Sequence, residues 1–425
     1  MNIQIKNGRV IDPAKQTEVQ QDVFVAEGKI VALGNAPAGF SAGRVIDASG
    51  LIVAPGLVDL SARLREPGFE YRATLESEMQ AAMAGGVTSL ACPPDTDPAL
   101  DEPGLVEMLC FRAKNLNCAH VYPVGALTEK LEGRRITEMA ELVEAGCVAF
   151  SQANTPIADT QVLMRAMQYA ATFDFRVWLQ PIDPHLSKGG VAHDGVVSSR
   201  LGLAGIPVEA ETIAIETYLR LARRVGAKLH ITRISSADAL TSIERARAEG
   251  LDVTCDIAAH HLHLCEHDIG YFDPQCRVVP PLRSDRDRAV LRAALADGRI
   301  NAVCSDHTPV DDDGKQVPFS DAEIGMTGLE LLLPLIVKWA QEDKIPLVQA
   351  LGVITNKAAG IMGITKGGHL GVGARADVCI FDADAERVLT RETLRSQGKN
   401  TPFLGLPLPG VVRYTMVEGR VMYEG

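Results

Sequence analysis

The chain has 425 residues, 46% apolar and 23% charged, which suits one large α/β barrel plus a small second domain. Its net charge of −12 argues against a nucleic-acid-binding surface, since such surfaces are usually basic. Nine dispersed cysteines with no CxxC pair point to reduced thiols and a cytoplasmic setting, and no stretch of 18 uncharged apolar residues is present to span a membrane.

The first fifty residues read as short strands. "MNIQIKNGRVID" (1–12) alternates polar and apolar residues, unlike a signal peptide, and a hairpin turn is expected at Asn7-Gly8. "DVFVAEGKIVALG" (22–34) repeats the pattern around Glu27-Gly28. The middle of the chain then alternates apolar runs with helical patterns. The runs are "LVDLSAR" (57–63), "GVTSLACPP" (86–94), "HVYPVGALT" (120–128), "VAFSQAN" (148–154), "RVWLQP" (176–181), "KLHITRIS" (228–235), "DVTCDIA" (252–258) and "INAVCSD" (300–306). Amphipathic stretches such as "ATLESEMQAAMAGG" and "PVEAETIAIETYLRLARRVGA" lie between them, and "GLELLLPLIVKWA" (328–340) reads as a core helix. The C-terminal part returns to strands, "ADVCIFDAD" and "VVRYTMVEGRVMYEG", with a turn at Glu418-Gly419.

Eight near-continuous apolar runs alternating with helices predict a parallel sheet covered on both faces and closed into a (β/α)8 TIM-like barrel. The barrel is placed at 55–365, and a small composite β-sandwich is built from 1–54 and 366–425. Chemistry in such a barrel sits at the C-terminal strand ends. Residues i and i+2 of a strand point the same way, so an His-x-His pair ending strand 1 would aim two imidazoles into the mouth. This chain has Ser61 and Arg63 there. Serine is a poor zinc ligand, and a protonated guanidinium has no lone pair to give.

The phrases "APGLVDLSARLREPGFEYRATL", "PPDTDP", "AFSQANTPI", "LGLAGIPVEAE", "HITRISS", "VVPPLRSDRDR", "SDHTPV" and "TPFLGLPLPGVVRYTMVEGRVMYEG" resemble, in this order, the dihydroorotases of the amidohydrolase superfamily. The resemblance covers essentially the whole chain and implies the amidohydrolase type of barrel. It also implies where a metal shell would stand. Beyond Ser61 and Arg63, ligand places fall on Ala153 after strand 4, Gln180 after strand 5 and Arg233 after strand 6, where His230 also remains. Only Asp306 after strand 8 keeps a ligand type. Among substrate positions, Arg65 remains, whereas Asp95, Val279 and Val310 replace polar residues of the family.

One ligand of about six cannot hold zinc. The resemblance therefore implies a degenerate dihydroorotase homologue with no metal and no cofactor. It is closest to the non-catalytic chain that accompanies aspartate carbamoyltransferase in some bacteria. The expected partner is that carbamoyltransferase catalytic chain, with homodimers inside a larger hetero-oligomer. The alternative is an active zinc amidohydrolase, a dihydroorotase or another cyclic amidase, using an unusual site. The cluster His260, His261, His263 and His267 is read as structural, Asp306–His307 as lacking its metal partners, and Cys304 as a buried strand thiol. Arg63, Arg233 or both are expected within about 3 Å of Asp306, filling the mouth with an ion pair.

Overall fold

The computed structural model of the protein describes residues 2–425. All eight apolar runs become strands: Leu57–Asp59, Val87–Cys92, His120–Ala126, Ala149–Ser151, Arg176–Leu179, Lys228–Ile231, Val253–Ala258 and Ala302–Cys304. They are numbered here as barrel strands 1 to 8. They pair in parallel in chain order. Every residue of strand 2 is buried, which is why the run shows no polar alternation. Beyond their ends, strands 1 and 8 close the barrel. Ala62 bridges His307, the His307 N–H donates to Ser61 O (3.1 Å), and the Arg63 N–H donates to His307 O (2.9 Å).

Helices cover the barrel where their ends are specified. Leu75–Ala84 starts at Thr74, whose hydroxyl accepts from Ser77 N while Ser77 bonds back to the cap. Glu209–Val225 carries Glu209 and Glu211 in its first turn and Arg223 and Arg224 in its last, matching the helix dipole, and stops at the left-handed Gly226. Leu332–Asp343 is the expected core helix, with Leu332, Ile336 and Trp339 buried. No helix among the described residues is long and apolar enough to cross a membrane.

The two chain ends form one mixed eight-stranded sheet. Its first strand, Ile3–Asp12, forks: Ile3–Lys6 pair with Arg44–Asp47, and Arg9–Val10 pair with Ile52–Val53. The sheet thereby folds around a core of its own that includes Ile3, Ile5, Val25, Val53, Val378 and Met416. The expected turns at Glu27-Gly28 and Glu418-Gly419 form, with positive φ at all four residues. The turn expected at Asn7-Gly8 does not. It is a bulge inside Ile3–Asp12, where the register with Thr17–Ala26 slips between Ile5 and Gly8. The alternation resumes after the bulge and pairs Val10 with Val19, so the chain reverses only after Asp12.

Residues 389–406 leave the sheet and strap the barrel. Ser396 Oγ donates to Glu78 (2.7 Å), and Asn400 Nδ2 donates to Thr308 O (3.0 Å) and Gly325 O (3.1 Å). Glu78 also meets His307 Nε2 at 2.6 Å, both fully buried. His307 Nδ1 accepts from Gly328 N (3.0 Å), so the ring proton sits on Nε2 and is donated to Glu78.

A Cβ on Gly85 would stand 2.3 Å from the backbone oxygen of Leu329, whereas nothing lies within 4 Å of one on Gly104. Gly85→Ala is expected to lower stability by about 1–3 kcal/mol through overpacking. Gly104→Ala, in the helix Pro103–Leu116, should raise it by about 0.5–1 kcal/mol. Urea unfolding of the two variants beside the parent checks the opposite signs.

Candidate functional site at the barrel mouth

The strand ends bring five of the residues read from the sequence, Arg63, Asp95, Gln180, Arg233 and Asp306, into one largely buried network. Arg63 Nε donates to Asp95 Oδ2 (2.8 Å), and its Nη1 donates to Asp306 Oδ1 (3.1 Å) and Thr308 Oγ1 (3.0 Å). Arg233 Nη1 donates to the same Asp306 Oδ1 (2.6 Å). Asn154 Oδ1 accepts from both guanidiniums, at 3.2 Å from Arg63 and 2.7 Å from Arg233. Gln180 Oε1 accepts from Arg233 Nη2. Arg63, Arg233 and Asp306 are each 4% exposed. Both arginines, not one, thus meet Asp306.

The charges balance: two guanidiniums face two carboxylates. Burial alone would lower the basicity of Arg63, but Asp95 and Asp306 outweigh it and hold the guanidinium above its ordinary range. Burial would raise the Asp95 carboxyl, and Arg63 reverses this, leaving it below the usual carboxylate range. Arg65 differs. Its Nε donates to Pro309 O (2.9 Å), and no carboxylate among the described residues lies within ion-pair distance. Burial, then the neighbouring charge of Arg63, push it down to about 10. Val279 is half-buried after strand 7, and Val310 is buried with its N–H on Asn400 Oδ1 (2.9 Å); neither side chain brings a polar group.

The backbone marks the same place. Arg65 (φ 64), Ala153 (φ 49), Arg233 (φ 55) and Asp306 (φ 47) all adopt the left-handed region, which costs an L-residue about 1 kcal/mol or more. Asn154 and Thr308 were not singled out from the sequence, because neutral polar residues next to strand ends carry no charge or spacing signal.

The residues do not fit a metal ion. Among the described residues, no three His, Cys, Asp or Glu side chains gather to hold one. Asp306 Oδ1 already accepts from two guanidiniums, and both would repel a divalent ion. His230 is turned away: Nδ1 lies 2.8 Å from Thr254 Oγ1 and Nε2 3.3 Å from Asp256 Oδ2. His260 and His261 are buried, their rings 4.6 Å apart, while His267 is exposed. His263 Nε2 meets Leu335 O at 2.8 Å. Cys304 is fully buried, and desolvation raises its thiol well above the ordinary range, away from a nucleophilic thiolate.

A parallel eight-stranded barrel, a sheet built from both chain ends and a mouth lined from the strand ends define the amidohydrolase class of protein. The Amidohydrolase family profile matches residues 189–422, and the Dihydro-orotase-like profile matches residues 50–239. A "Dihydroorotase-like protein" of Pseudomonas aeruginosa is 43% identical over the whole of both chains. A "Dihydroorotase" of Geobacter sp. strain M21 is 38% identical, again over all of both chains. In structure, the L-hydantoinase of Arthrobacter aurescens superposes with a TM-score of 0.89 at 25% identity, over 99% of this chain and 96% of that one. The chain belongs to the dihydroorotase-like members of the amidohydrolase family.

Two outcomes follow from the geometry. Asp306→Ala leaves Arg233 with the neutral acceptors Asn154 and Gln180 alone and Arg63 with Asp95 as its one carboxylate, and is expected to cost about 3–5 kcal/mol in urea unfolding. The second concerns acid. Burial pushes His260 and His261 down to about 3 from 6.5, with the positive charge of Arg233 adding to the effect on His260 and the neighbouring His260 ring adding to that on His261. The folded rings stay neutral where the unfolded rings charge. The stability they contribute is present above pH 6.5 and is lost as pH falls toward 3. His260→Leu should flatten the decline between these limits by up to about 1.4 kcal/mol per pH unit, read from unfolding curves at neutral and mildly acid pH.

Proposed function

We propose that this chain is a non-catalytic dihydroorotase-like protein, a structural subunit that supports the assembly and activity of aspartate carbamoyltransferase in pyrimidine synthesis. The observation that carries the reading is Asp306 Oδ1 held between Arg63 and Arg233. Opening a cyclic amide at neutral pH needs an activated water, and a bound metal would supply it by lowering the pKa of that water to about 7. The donor set for such a metal is lacking here. The two groups at the end of strand 8 that could move a proton are committed elsewhere: Asp306 to two guanidiniums, and His307 to Glu78. A whole barrel kept around such a mouth needs another use, and an oligomeric scaffold is the simplest. In this reading the chain acts in the cytoplasm, and pairs of it bridge carbamoyltransferase subunits.

The second reading is an active zinc amidohydrolase. It draws on the relatives named dihydroorotase and on the unpaired guanidinium of Arg65. Metal analysis and an assay in both directions, with dihydroorotate and with carbamoyl aspartate, separate the two. The expected result is no zinc retained by the freshly purified protein and no turnover above a protein-free blank, with or without added zinc. Turnover abolished by Asp306→Ala would establish the second reading. The carbamoyltransferase expressed with this chain is expected to co-elute at higher mass and higher specific activity than when expressed alone.

A further inference from the structure

Three long loops at the mouth are laced into one rigid surface. They follow strand 5 (181–206), strand 7 (259–283) and strand 8 (307–328). Arg277 Nε donates to Ala322 O (3.0 Å) and its Nη1 to Val191 O (3.5 Å), so one guanidinium joins all three. Lys315 is buried and donates to Pro274 O (3.0 Å) and Glu323 O (2.6 Å). Arg283 Nη1 donates to Ile206 O (2.7 Å), and Glu266 accepts from Val197 N (3.2 Å). Arg72 Nη2 on Glu323 (2.8 Å) adds the loop after strand 1.

Six of the fifteen exposed large apolar side chains among the described residues belong to these loops. Tyr271 is 91% exposed and Val196 74%, and Tyr71, Leu186, Val317 and Ile324 are exposed as well. Tyr271 sits between Gly270 and Phe272, both with positive φ, so the loop tip is held out by a defined backbone and not by slack chain. Isolated exposed apolar residues need no explanation, but a gathering on rigid adjoining loops marks an interaction surface.

The charge says what kind of partner fits. In 181–206, 259–283 and 307–328 there are ten Asp and Glu against five Lys and Arg. Two of those five, Arg283 and Lys315, are buried and spend their charge on the lacing. Asp194, Asp268, Asp312, Asp313 and Asp321 are exposed, with Asp312 sharing Arg391. An acidic face repels its own copy across a twofold axis, because the same patch meets itself. A basic partner surface is attracted to it.

We infer that the mouth face is a docking surface for a positively charged, apolar-containing patch on the carbamoyltransferase chain, and that self-pairing uses another face. The inference rests on the proposed structural role. It also explains why the closed mouth carries no penalty: nothing has to pass through a face that is covered.

The test is complex formation between this chain and the purified carbamoyltransferase of the same host, followed by light scattering and by affinity. Two variants probe the face: Tyr271→Ser with Val196→Ser and Val317→Ser, and Asp313→Lys with Asp321→Lys. A control, Val19→Ser with Val45→Ser, alters exposed residues of the terminal sheet. All three should melt with the parent, since the side chains are exposed. Each mouth variant is expected to weaken binding about tenfold or more, with the control unchanged. Raising salt to about 0.5 M should weaken the parent complex more than that of the lysine variant. Parent-like binding by both mouth variants overturns the inference and leaves the structural role standing. No binding by the parent overturns both.

Discussion

One carboxylate oxygen, Asp306 Oδ1, holds two guanidiniums that arrive from strands 1 and 6. The rest of the mouth depends on this. Two like charges a few ångströms apart in a dry interior repel by several kcal/mol, and removing each from water costs several more. Only a shared anion and a full set of acceptors make the arrangement tolerable. Asp95, Asn154, Gln180 and Thr308 complete that set. The six residues Arg63, Asp95, Asn154, Gln180, Arg233 and Asp306 follow strands 1, 2, 4, 5, 6 and 8. The network therefore joins the ends of six strands at one point. A metal ion coordinated from several strand ends would do the same mechanical work with a cation, not an anion, at the centre.

The residues that make the network are coupled. Arg63 and Arg233 each add a positive charge, and Asp95 and Asp306 each cancel one. Altering a single member changes the net charge of a buried cluster, so effects at these positions are not additive. An imidazole introduced at position 63 would still face Arg233 across Asp306, and would leave Asp95 without its partner. Any stepwise change of this cluster into a metal site would run through intermediates carrying an unbalanced buried charge.

Much of this was legible in the sequence, for identifiable reasons. A parallel strand buried on both faces has to be apolar throughout, so eight runs announce eight strands. The period of two along a strand places Arg63 in the mouth, and opposite charge suggests its partnership with Asp306. Asn7-Gly8 misled because that dipeptide favours tight hairpins, whereas here Gly8 serves a close approach: a Cβ on it would stand 2.4 Å from Val53 Cγ2. The tie from His307 to Glu78 and on to Ser396 was illegible. Its members lie 229 and 318 positions apart, and nothing local marks them. Asn154 was missed for a related reason, since its use depends on two arginines brought from distant strands.

The left-handed residues show how the scaffold performs this work. Ala153 offers no chemistry, yet it holds φ 49, a conformation alanine avoids. The strain is fixed from behind: Ala153 N donates to Ser151 Oγ (3.1 Å), and Leu127 N donates to Ser151 O (2.9 Å). The turn that follows carries Asn154 to the two guanidiniums. At Arg233 the equivalent turn is held by Asp256, which accepts the Arg233 N–H. At Asp306 the turn lies between the Ser305 N–H, donated to Asp59 (2.8 Å), and the His307 N–H, donated to Ser61 O (3.1 Å). Each strained strand end is thus pinned by its neighbours and not by what its side chain binds. A frame of this kind aims whatever side chain stands at those positions toward the barrel axis. It can present a charge-balanced arginine cluster as firmly as a set of metal ligands, which is why the mouth keeps its shape with chemistry so different from that of a metal centre.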